Sequence, residues 1–484
     1  MSLVHMDVAV IGSELSALAA GAMLAHEHKK VVVIDDAEAD ETPLGEHLVP
    51  RAPALWRLPT TGPAADLIEK LGLKQDARRV LGAPCGVAIV DDPDARLLIE
   101  PDTERKRAEL VRAFGTVGLA AAHALDDVRP KERDGLFVEA SLLHDEGFFA
   151  RRRAAKRRAE HGPSLDVHST DAALKALLAS PLGPAFASFV PFVQHTADAP
   201  VDGFAGFLAA WLLHGGTVAH PSEGTSLRGA LSRRFLHTIE GHGGDVVKGS
   251  RVKMVEGDAR RVTVVRTDGK NDFAVRAVVD GTEGRTLTQR LPDGKGRSET
   301  VERQRAAPHV GGAAIVRMLV ERRSLPRGMS SRTVVLPGEP SLRLPLLVAA
   351  YEGLPSLDGR PPKGPSRFTA LVAACKWSSS ETPDDIVARV ERKLLALMPF
   401  AESAIVAKDA ITGETAWRAL PTYARGEGVH ELGGVRPTTG FKNVARAGRD
   451  LAPLLGLEGE IAAAPSVATV VEEALGRKRA GGEG

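Results

Sequence analysis

The sequence predicts an α/β protein in which a Rossmann-like domain is interrupted by an inserted α+β domain. The chain opens on a strand, a glycine turn, a helix and a second strand within its first 36 residues, which is the plan of a βαβ unit. Further along, strands alternate with helices, and the segment from residue 440 onwards returns to a turn followed by a helix. We therefore expect interleaved rather than sequential domains.

The opening βαβ unit is the most specific stretch of the chain. Its first apolar run ends at Gly12, the Ala- and Leu-rich segment 17–26 predicts a helix, and the apolar run 31–34 ends on Asp35. In dinucleotide-binding units the helix N-terminus faces the pyrophosphate, and the acid accepts the ribose hydroxyls. Gly12, Ser13 and Asp35 are therefore candidate nucleotide ligands.

The glycine fingerprint of this unit is incomplete. Glycine is expected at positions 12, 14 and 17, whereas the chain has Gly12, Glu14 and Ala17. Ala17 is a mild change, because the third glycine serves helix–strand packing. Glu14 brings bulk and negative charge to the pyrophosphate position, so it should weaken binding unless it turns to solvent or pairs with a Lys or Arg. An ordinary βαβ unit that binds nothing is the alternative.

Composition limits the class of protein. The 484 residues are 43% apolar and 26% charged, which is sufficient for two or three ordinary globular domains. A net charge of +1 gives no electrostatic reason to bind nucleic acid. Cys85 and Cys375 lie far apart, and we expect no metal site. Neither a signal segment nor a membrane-spanning helix is predicted, so we expect a cytoplasmic protein.

Periodicity and turn residues predict the remaining elements. The segment 37–63 is a polar, turn-rich link. Helices are predicted at 64–71, 105–125, 145–160, 226–240 and 382–398. Strands are predicted at 86–90, 97–100, 245–248, 262–265, 273–281, 337–350, 367–375 and 443–447.

The helix predicted at 145–160 carries a basic run directly after two phenylalanines. The run consists of Arg151, Arg152, Arg153, Lys156, Arg157 and Arg158. Such a helix is typical of peripheral contact with an anionic membrane surface. Because the charges surround the helix, a solvated helix face is the simpler interpretation.

The segment 172–213 is apolar and helix-rich. It predicts either a pocket for an apolar substrate or ordinary core. His195, His214 and His220 lie in or beside it, but none has a ligand or triad partner at recognisable spacing. We interpret these histidines as structural rather than catalytic.

Two later blocks complete a pattern with the opening unit. GALSRRFLHTIEGHGGDVVKGSRVKMVEGD (229–258) predicts a helix, a glycine pair and strands, and ARAGRDLAPLLGLEGEIAAA (445–464) predicts a glycine turn before a second helix N-terminus. In this order the three blocks resemble the phytoene desaturase and amine oxidase group of FAD-dependent flavoproteins. The implied cofactor-binding residues are Gly12, Ser13, Glu14, Ala17, Asp35, Val252 (at the adenine), Gly448, Asp450 and Gly459.

The resemblance implies an FAD/NAD(P)-binding Rossmann-like domain with an inserted α+β substrate domain. The FAD domain would combine residues 1–95, 223–290 and 431–484. The substrate domain would combine residues 96–222 and 291–430.

The departures from this family fall at flavin contacts. Glu14 replaces the central glycine, Arg449 is inserted between Gly448 and Asp450, and Glu460 replaces a small residue. The arginine and double glycine that usually follow the ribose acid are missing. The Rab GDP-dissociation inhibitor resembles these flavoproteins but holds a lipidated protein, so loss of the cofactor is one interpretation. The other is compensation, in which Arg449 or Arg425 offsets Glu14.

Two hypotheses lead. The first is an FAD-dependent oxidoreductase that oxidises an apolar, isoprenoid-type substrate by hydride transfer to flavin, with no catalytic residue that the sequence names. The second is a cofactor-free protein that binds a lipid or a protein partner. A nicotinamide-dependent reductase is a third option, which the two later blocks disfavour. If Glu14 and Arg449 fill the nucleotide groove, cofactor binding becomes doubtful.

Overall fold

A computed structural model describes most of the chain. The described residues are 2–35, 39–56, 62–92, 95–142, 152, 156, 172–195, 224–258, 260–269, 271–282, 310–336, 345–377, 381–423 and 434–476.

The described strands fall into two seven-stranded sheets and one hairpin. They are β1 (Ser2–Ile11), β2 (Val31–Asp35), β3 (Glu41–Leu44), β4 (His47–Pro50), β5 (Val87–Asp92), β6 (Ala95–Ile99), β7 (Asp245–Lys248), β8 (Val252–Gly257), β9 (Val262–Thr267), β10 (Asn271–Asp280), β11 (Gly312–Glu321), β12 (Arg332–Val335), β13 (Leu346–Tyr351), β14 (Phe368–Trp377), β15 (Ile405–Ile411) and β16 (Val444–Arg446).

The described helices connect and cover these sheets. They are α1 (Leu15–His26), α2 (Pro63–Lys70), α3 (Lys74–Leu81), α4 (Thr103–Leu142), α5 (Ala172–Leu178), α6 (Gly183–Val193), α7 (Leu227–Gly241), α8 (Pro383–Leu397), α9 (Gly413–Ala419), α10 (Gly456–Ala462) and α11 (Ala464–Ala474).

The first sheet has the order β7-β2-β1-β10-β9-β8, and β16 pairs with the carboxyl end of β10. Strands β7, β2, β1, β10 and β16 are parallel, whereas β8 and β9 form an antiparallel extension. The carboxyl ends of the parallel strands therefore meet at one edge, where open α/β sheets bind their ligands. The predicted α/β class and Rossmann-like sheet are confirmed.

Helix α1 is buried between the first sheet and two other helices. Every residue from Leu15 to Ala25 is buried, and the helix packs against α7 and α11. A side chain at Gly21 would meet Val10 and Ile239 at 3.1 and 3.2 Å. The helix predicted from the Ala- and Leu-rich composition is confirmed, and its burial agrees with that composition, because a helix that is apolar all round is a buried helix.

The second sheet has the order β15-β11-β14-β13-β12-β5-β6. Its pairs are antiparallel except β12 with β5. Helix α8 packs against β11 and β14, and Thr382 caps it by accepting a hydrogen bond from the Asp385 backbone N–H at 3.3 Å. This helix lies almost where the sequence predicted it.

The supposed link 37–63 contains regular structure, which the sequence analysis missed. Its β3–β4 hairpin turns at Gly45, whose φ is +59°. The buried Arg317 of β11 binds this hairpin by donating from Nη1 to Thr42 Oγ1 at 2.7 Å and to the Val49 carbonyl at 3.2 Å. Since that anchor comes from far along the chain, local sequence carried no signal for it.

Other boundaries also differ from expectation. The division placed at residue 95 coincides with the start of β6, and β5 and β6 both join the second sheet; the domain limits themselves stay a prediction. The helix predicted at 105–125 extends over Thr103–Leu142 with a break at Gly115. Apart from Arg152 and Lys156, the basic helix at 145–160 lies outside the described residues, as do His214 and His220.

Among the described helices, none is by itself long and apolar enough to cross a membrane. One bent pair, Pro453–Ala462 with Ala464–Ala474, meets the length and composition criteria only when taken together.

Candidate functional site

The turn between β1 and α1 depends on Gly12. Gly12 has a φ of +87°, and a Cβ there would lie 2.7 Å from the Gly281 carbonyl oxygen. The Gly12 N–H donates to Ile34 O at 3.0 Å, and the Gly281 N–H donates to Ile11 O at 2.8 Å. Gly12 is therefore required by the close approach of two strand ends, whether or not a nucleotide binds.

Glu14 stands at the N-cap of α1, but its side chain makes no capping hydrogen bond. Instead, Glu14 Oε2 accepts from Arg228 Nη2 at 2.8 Å and from Arg449 Nε at 3.0 Å. The exposed fractions of these three side chains are only 16%, 14% and 7%. Glu14 and Arg449, the two departures that the sequence analysis singled out, are thus ion-paired with each other.

Glu460, the third departure, completes the same network. Its Oε2 accepts from Arg228 Nη1, and its Oε1 lies 3.8 Å from Arg449 Nε. The Glu460 side chain is 1% exposed. We call Glu14, Arg228, Arg449 and Glu460 the charge quartet.

Four separate segments supply the quartet. Glu14 begins α1, Arg228 lies in the first turn of α7, Arg449 follows β16, and Glu460 lies in α10. Helix α7 is fixed by its N-cap Ser226, whose Oγ accepts from the Gly229 N–H at 2.8 Å. The quartet therefore joins the amino end of α1 to the closing segment of the chain.

The quartet is electrically balanced. Burial by itself would raise the pKa of Glu14, but the guanidinium groups of Arg449 and Arg228 hold it below its usual value. The pKa of Glu460 is lowered to about 2, because Arg228 and other donors outweigh its burial. Two carboxylates therefore face two guanidinium groups at neutral pH, and the sum of the four charges is zero.

Asp40 lies beside the quartet, with Oδ1 3.7 Å from Arg228 Nε. Burial raises the pKa of Asp40 above its ordinary value, although Arg228 opposes that shift. Any charge on Asp40 adds to the negative side of the site.

His195 and Lys376 extend the site toward the second sheet. His195 Nε2 lies 3.0 Å from Glu460 Oε1, so Nε2 carries the proton of the neutral ring. Burial lowers the pKa of His195 to about 4. Lys376 Nζ donates to Pro421 O at 3.1 Å and Gln194 O at 3.4 Å, and burial lowers its pKa to about 7. Among the described residues no carboxylate pairs with Lys376.

His195 gives the first testable prediction, a loss of stability on acidification. The unfolded chain binds this proton below pH 6.5 and the folded chain only below about 4. The His195 contribution is therefore intact above pH 6.5 and falls by roughly 3 kcal/mol as the pH drops to 4. Denaturant titrations of wild type and His195→Gln should converge with falling pH. His237→Gln, an exposed control on α7, should keep the wild-type slope, and parallel slopes for wild type and His195→Gln would contradict the assignment.

The other residues proposed as nucleotide ligands lie in the first sheet, in α1 or in the turn between β1 and α1. Ser13 is partly exposed in the turn before α1. Ala17 packs closely on Gly281, where an added Cβ would lie 2.6 Å from the Ala17 Cβ. Asp35 ends β2, but its side chain lies outside the described residues. The Val252 side chain is 1% exposed in the apolar cluster that contains Ile11. Their roles toward a nucleotide remain predictions.

In the block 445–464, the residues proposed as cofactor ligands contact other residues of the chain. Asp450 is fully buried and accepts a hydrogen bond from Arg446 at 2.5 Å. Gly459 approaches Ala452 so closely that a Cβ would lie 2.3 Å from the Ala452 carbonyl oxygen. Gly448 is buried in the turn after β16. Packing within the chain accounts for Asp450 and Gly459 without a ligand.

Sequence reasoning missed Arg228, Asp40 and Lys376, and it interpreted His195 only as structural. Arg228 sits in an ordinary amphipathic helix, so no local signal distinguishes it from Arg233 or Arg234. The buried carboxylates at positions 14 and 460 were the available clue, because each requires a cation nearby. Arg425, the other suggested partner of Glu14, lies outside the described residues.

No family model matches the sequence, and a search of curated proteins finds no match. Solved structures do resemble it. An oxidoreductase from Methanosarcina mazei is 14% identical, covers 98% of this chain and 100% of its own, and has a TM-score of 0.56. The Rab GDI of Plasmodium falciparum is 10% identical, covers 98% of this chain and 99% of its own, and has a TM-score of 0.53. A putrescine oxidase variant with redesigned cofactor binding is 14% identical, covers 98% of this chain and 98% of its own, and has a TM-score of 0.52. The chain has the fold that these proteins share.

This fold implies FAD, but the residues at the pyrophosphate position do not fit that group. Glu14 places a carboxylate at the N-terminus of α1, where the phosphates would bind. The guanidinium groups of Arg228 and Arg449 are already neutralised by Glu14 and Glu460. A pyrophosphate would bring additional negative charge next to two buried carboxylates whose guanidinium partners are already neutralised, which is unfavourable.

Proposed function

We propose that this chain is a cofactor-free, non-enzymatic binding protein built on the flavoprotein fold, with a lipid or a protein as its partner. The observation that carries this proposal is the pairing of Glu14 with Arg449 and Arg228 at the amino end of α1. In this interpretation the quartet takes the structural place of the cofactor's phosphates and joins the segments that the cofactor would otherwise hold together.

The quartet also explains why the departures occur together. A lone Glu14 would be a buried, unpaired charge, and a lone Arg449 or Glu460 would be equally costly. In the quartet, Glu14 and Glu460 each pair with Arg228, and Glu14 also pairs with Arg449. Each of these charges is therefore tolerable only when the others are present. Such a set supports a scaffold adapted to work without the phosphates.

A flavin-dependent oxidoreductase acting on an apolar, isoprenoid-type substrate is the second candidate. It is favoured by two of the similar structures, an oxidoreductase and a putrescine oxidase variant. FAD binding would require the ion pairs of the quartet to break, so that Arg228 and Arg449 bind the phosphates in place of the carboxylates of Glu14 and Glu460.

An absorption spectrum separates the two candidates. The purified chain is expected to show no flavin bands, and to retain no FAD after incubation with excess FAD and desalting, because the carboxylates repel the phosphates. A putrescine oxidase treated in parallel controls for the loading procedure. Near-stoichiometric retention would contradict the proposal and establish the flavoprotein, and the next measurement would then be which apolar substrate bleaches the bands.

The proposed partner is a lipid or a protein. One of the structures similar to this chain is named as a Rab GDI and not as an oxidoreductase. The basic run 151–158 remains a predicted membrane contact. Co-sedimentation with anionic and neutral lipid vesicles tests it, and equal binding to both would remove the electrostatic basis of that prediction.

A further inference from the structure

Two histidines meet at the carboxyl ends of α1 and α7. His26 is the last residue of α1, and His242 directly follows α7. The same two helices begin at the charge quartet, so the two histidines lie at their opposite ends, roughly 18 Å away at 1.5 Å per residue of α1. Both side chains are exposed. We call His26 and His242 the histidine pair.

The distance between the two rings fits a shared metal ion. His26 Nδ1 lies 3.3 Å from His242 Nε2, which is longer than the roughly 2.9–3.0 Å usual for a hydrogen bond from N–H to oxygen. Zinc binds imidazole nitrogen at about 2.0–2.1 Å and takes tetrahedral geometry. Two such bonds at the tetrahedral angle place their nitrogens about 3.3–3.4 Å apart. The observed separation therefore matches the spacing of two nitrogen ligands on one zinc ion.

The two rings approach at their edges and do not stack. Their planes are 82° apart and their centroids lie 4.9 Å apart, so the contacting nitrogens lie at the edges through which an imidazole binds metal. One of these nitrogens carries a proton when the rings hydrogen-bond. Zinc binding moves that proton to the other nitrogen of the same ring, and exposure to solvent allows the exchange.

The packed helices hold the histidine pair in place. The residues of α1 from Leu15 to Ala25 are buried, and α1 packs against α7. A Cβ at Gly21 would lie 3.2 Å from Ile239 Cδ1, so the two helices are in close contact shortly before the pair. The backbone N–H of His242 also donates to Thr238 O at 3.1 Å and to Ile239 O at 3.2 Å. Because the core fixes both backbones, a bound metal has only the two rings to order.

The charges around the histidine pair leave the choice of ligand to the imidazoles. Both histidines stand at helix carboxyl ends, where the helix dipole favours a cation. Ionisable residues of both signs adjoin the pair along the chain, namely Glu27, His28, Lys29, Lys30, Glu240 and Asp245. Among the described residues, no third His, Cys, Asp or Glu completes a ligand group. A metal ion here has two protein ligands, and water fills its remaining positions.

We propose that the histidine pair binds a single zinc ion. Imidazole nitrogen suits zinc, whereas calcium and magnesium take oxygen ligands. The ion joins the carboxyl ends of α1 and α7, as the ion pair of Glu14 with Arg228 joins their amino ends. The site is remote from the quartet, so the inference holds whether or not the chain binds FAD. Spacing along the chain gives no sign of it, because the two histidines are 216 positions apart.

Isothermal titration of the full chain with zinc chloride at neutral pH, after treatment with a chelator and desalting, tests the site. We expect saturable one-to-one binding that calcium chloride does not reproduce. His26→Asn and His242→Asn should each weaken zinc binding at least about tenfold, because changes to groups that only support a metal ligand already cost roughly 10–100-fold. His237→Asn, an exposed histidine elsewhere on α7, is the matched control and should bind as wild type does.

Thermal unfolding gives a second measurement of the same site. Zinc should raise the thermal midpoint of wild type, because it binds two helix ends that only the folded chain brings together. His26→Asn and His242→Asn should lack this rise, and without zinc both should unfold near the wild-type midpoint, since both side chains are exposed.

Three results would overturn the proposal. They are no zinc binding by wild type, a calcium response equal to that of zinc, and zinc binding as tight as that of wild type by either folded variant. The two substitutions lie on different helices, so if one variant does not fold, the other decides the outcome.

Discussion

Replacing Arg228 by methionine should lower the free energy of unfolding by about 3–5 kcal/mol, the usual cost of removing one partner from a buried ion pair. Arg228 donates to both Glu14 and Glu460, so its loss leaves two buried carboxylates with fewer partners. Methionine keeps much of the side-chain volume, which separates the electrostatic loss from a packing loss. Denaturant unfolding monitored by circular dichroism measures the change.

Arg233→Met is the matched control for this variant. Arg233 lies on the same helix and pairs with Glu41 at 3.3 Å, but its side chain is 51% exposed. Exposed pairs contribute at most about 1 kcal/mol. Similar losses for Arg228→Met and Arg233→Met would contradict the role given to the quartet. The double variant Arg228→Met, Glu460→Gln should recover stability relative to Arg228→Met, because it removes one carboxylate and leaves Glu14 paired with Arg449.

Glu14→Gln should create an anion site that wild type lacks. The remaining quartet would carry one excess positive charge at the N-terminus of α1, where phosphates bind in this fold. We expect ADP, which contains the pyrophosphate of FAD, to raise the thermal midpoint of Glu14→Gln and to leave wild type unchanged. A ligand present at one hundred times its dissociation constant adds about 2.7 kcal/mol to folding stability.

The outcomes of this experiment bear directly on the proposed function. Glu46→Gln, in the β3–β4 turn, is the control for removing one negative charge elsewhere, and its midpoint should not respond to ADP. If wild type responds to ADP as strongly as Glu14→Gln does, Glu14 is no barrier and the flavoprotein interpretation gains support. If neither responds, the quartet is not a masked phosphate site, and its role is structural only.

The sequence by itself determined the first sheet and its central helix. Apolar runs ending at Gly12 and Asp35, with an Ala- and Leu-rich segment between them, specify strand, turn and buried helix through local periodicity and composition. It also identified Glu14, Arg449 and Glu460 as departures from the flavoprotein pattern that the chain resembles. Glu14 and Glu460 replace small residues, and Arg449 is inserted between Gly448 and Asp450. These conclusions depend on residues within one segment and on a known motif.

Only the tertiary structure decided what those three residues do. Glu14 and Arg449 are 435 positions apart, and Arg228, the shared partner of Glu14 and Glu460, has no distinguishing sequence signal. The hairpin β3–β4 escaped prediction for the same reason, since its anchor Arg317 lies on another sheet. Ion pairs form between segments that the fold brings together, so their partners are set by three-dimensional packing and not by spacing along the chain.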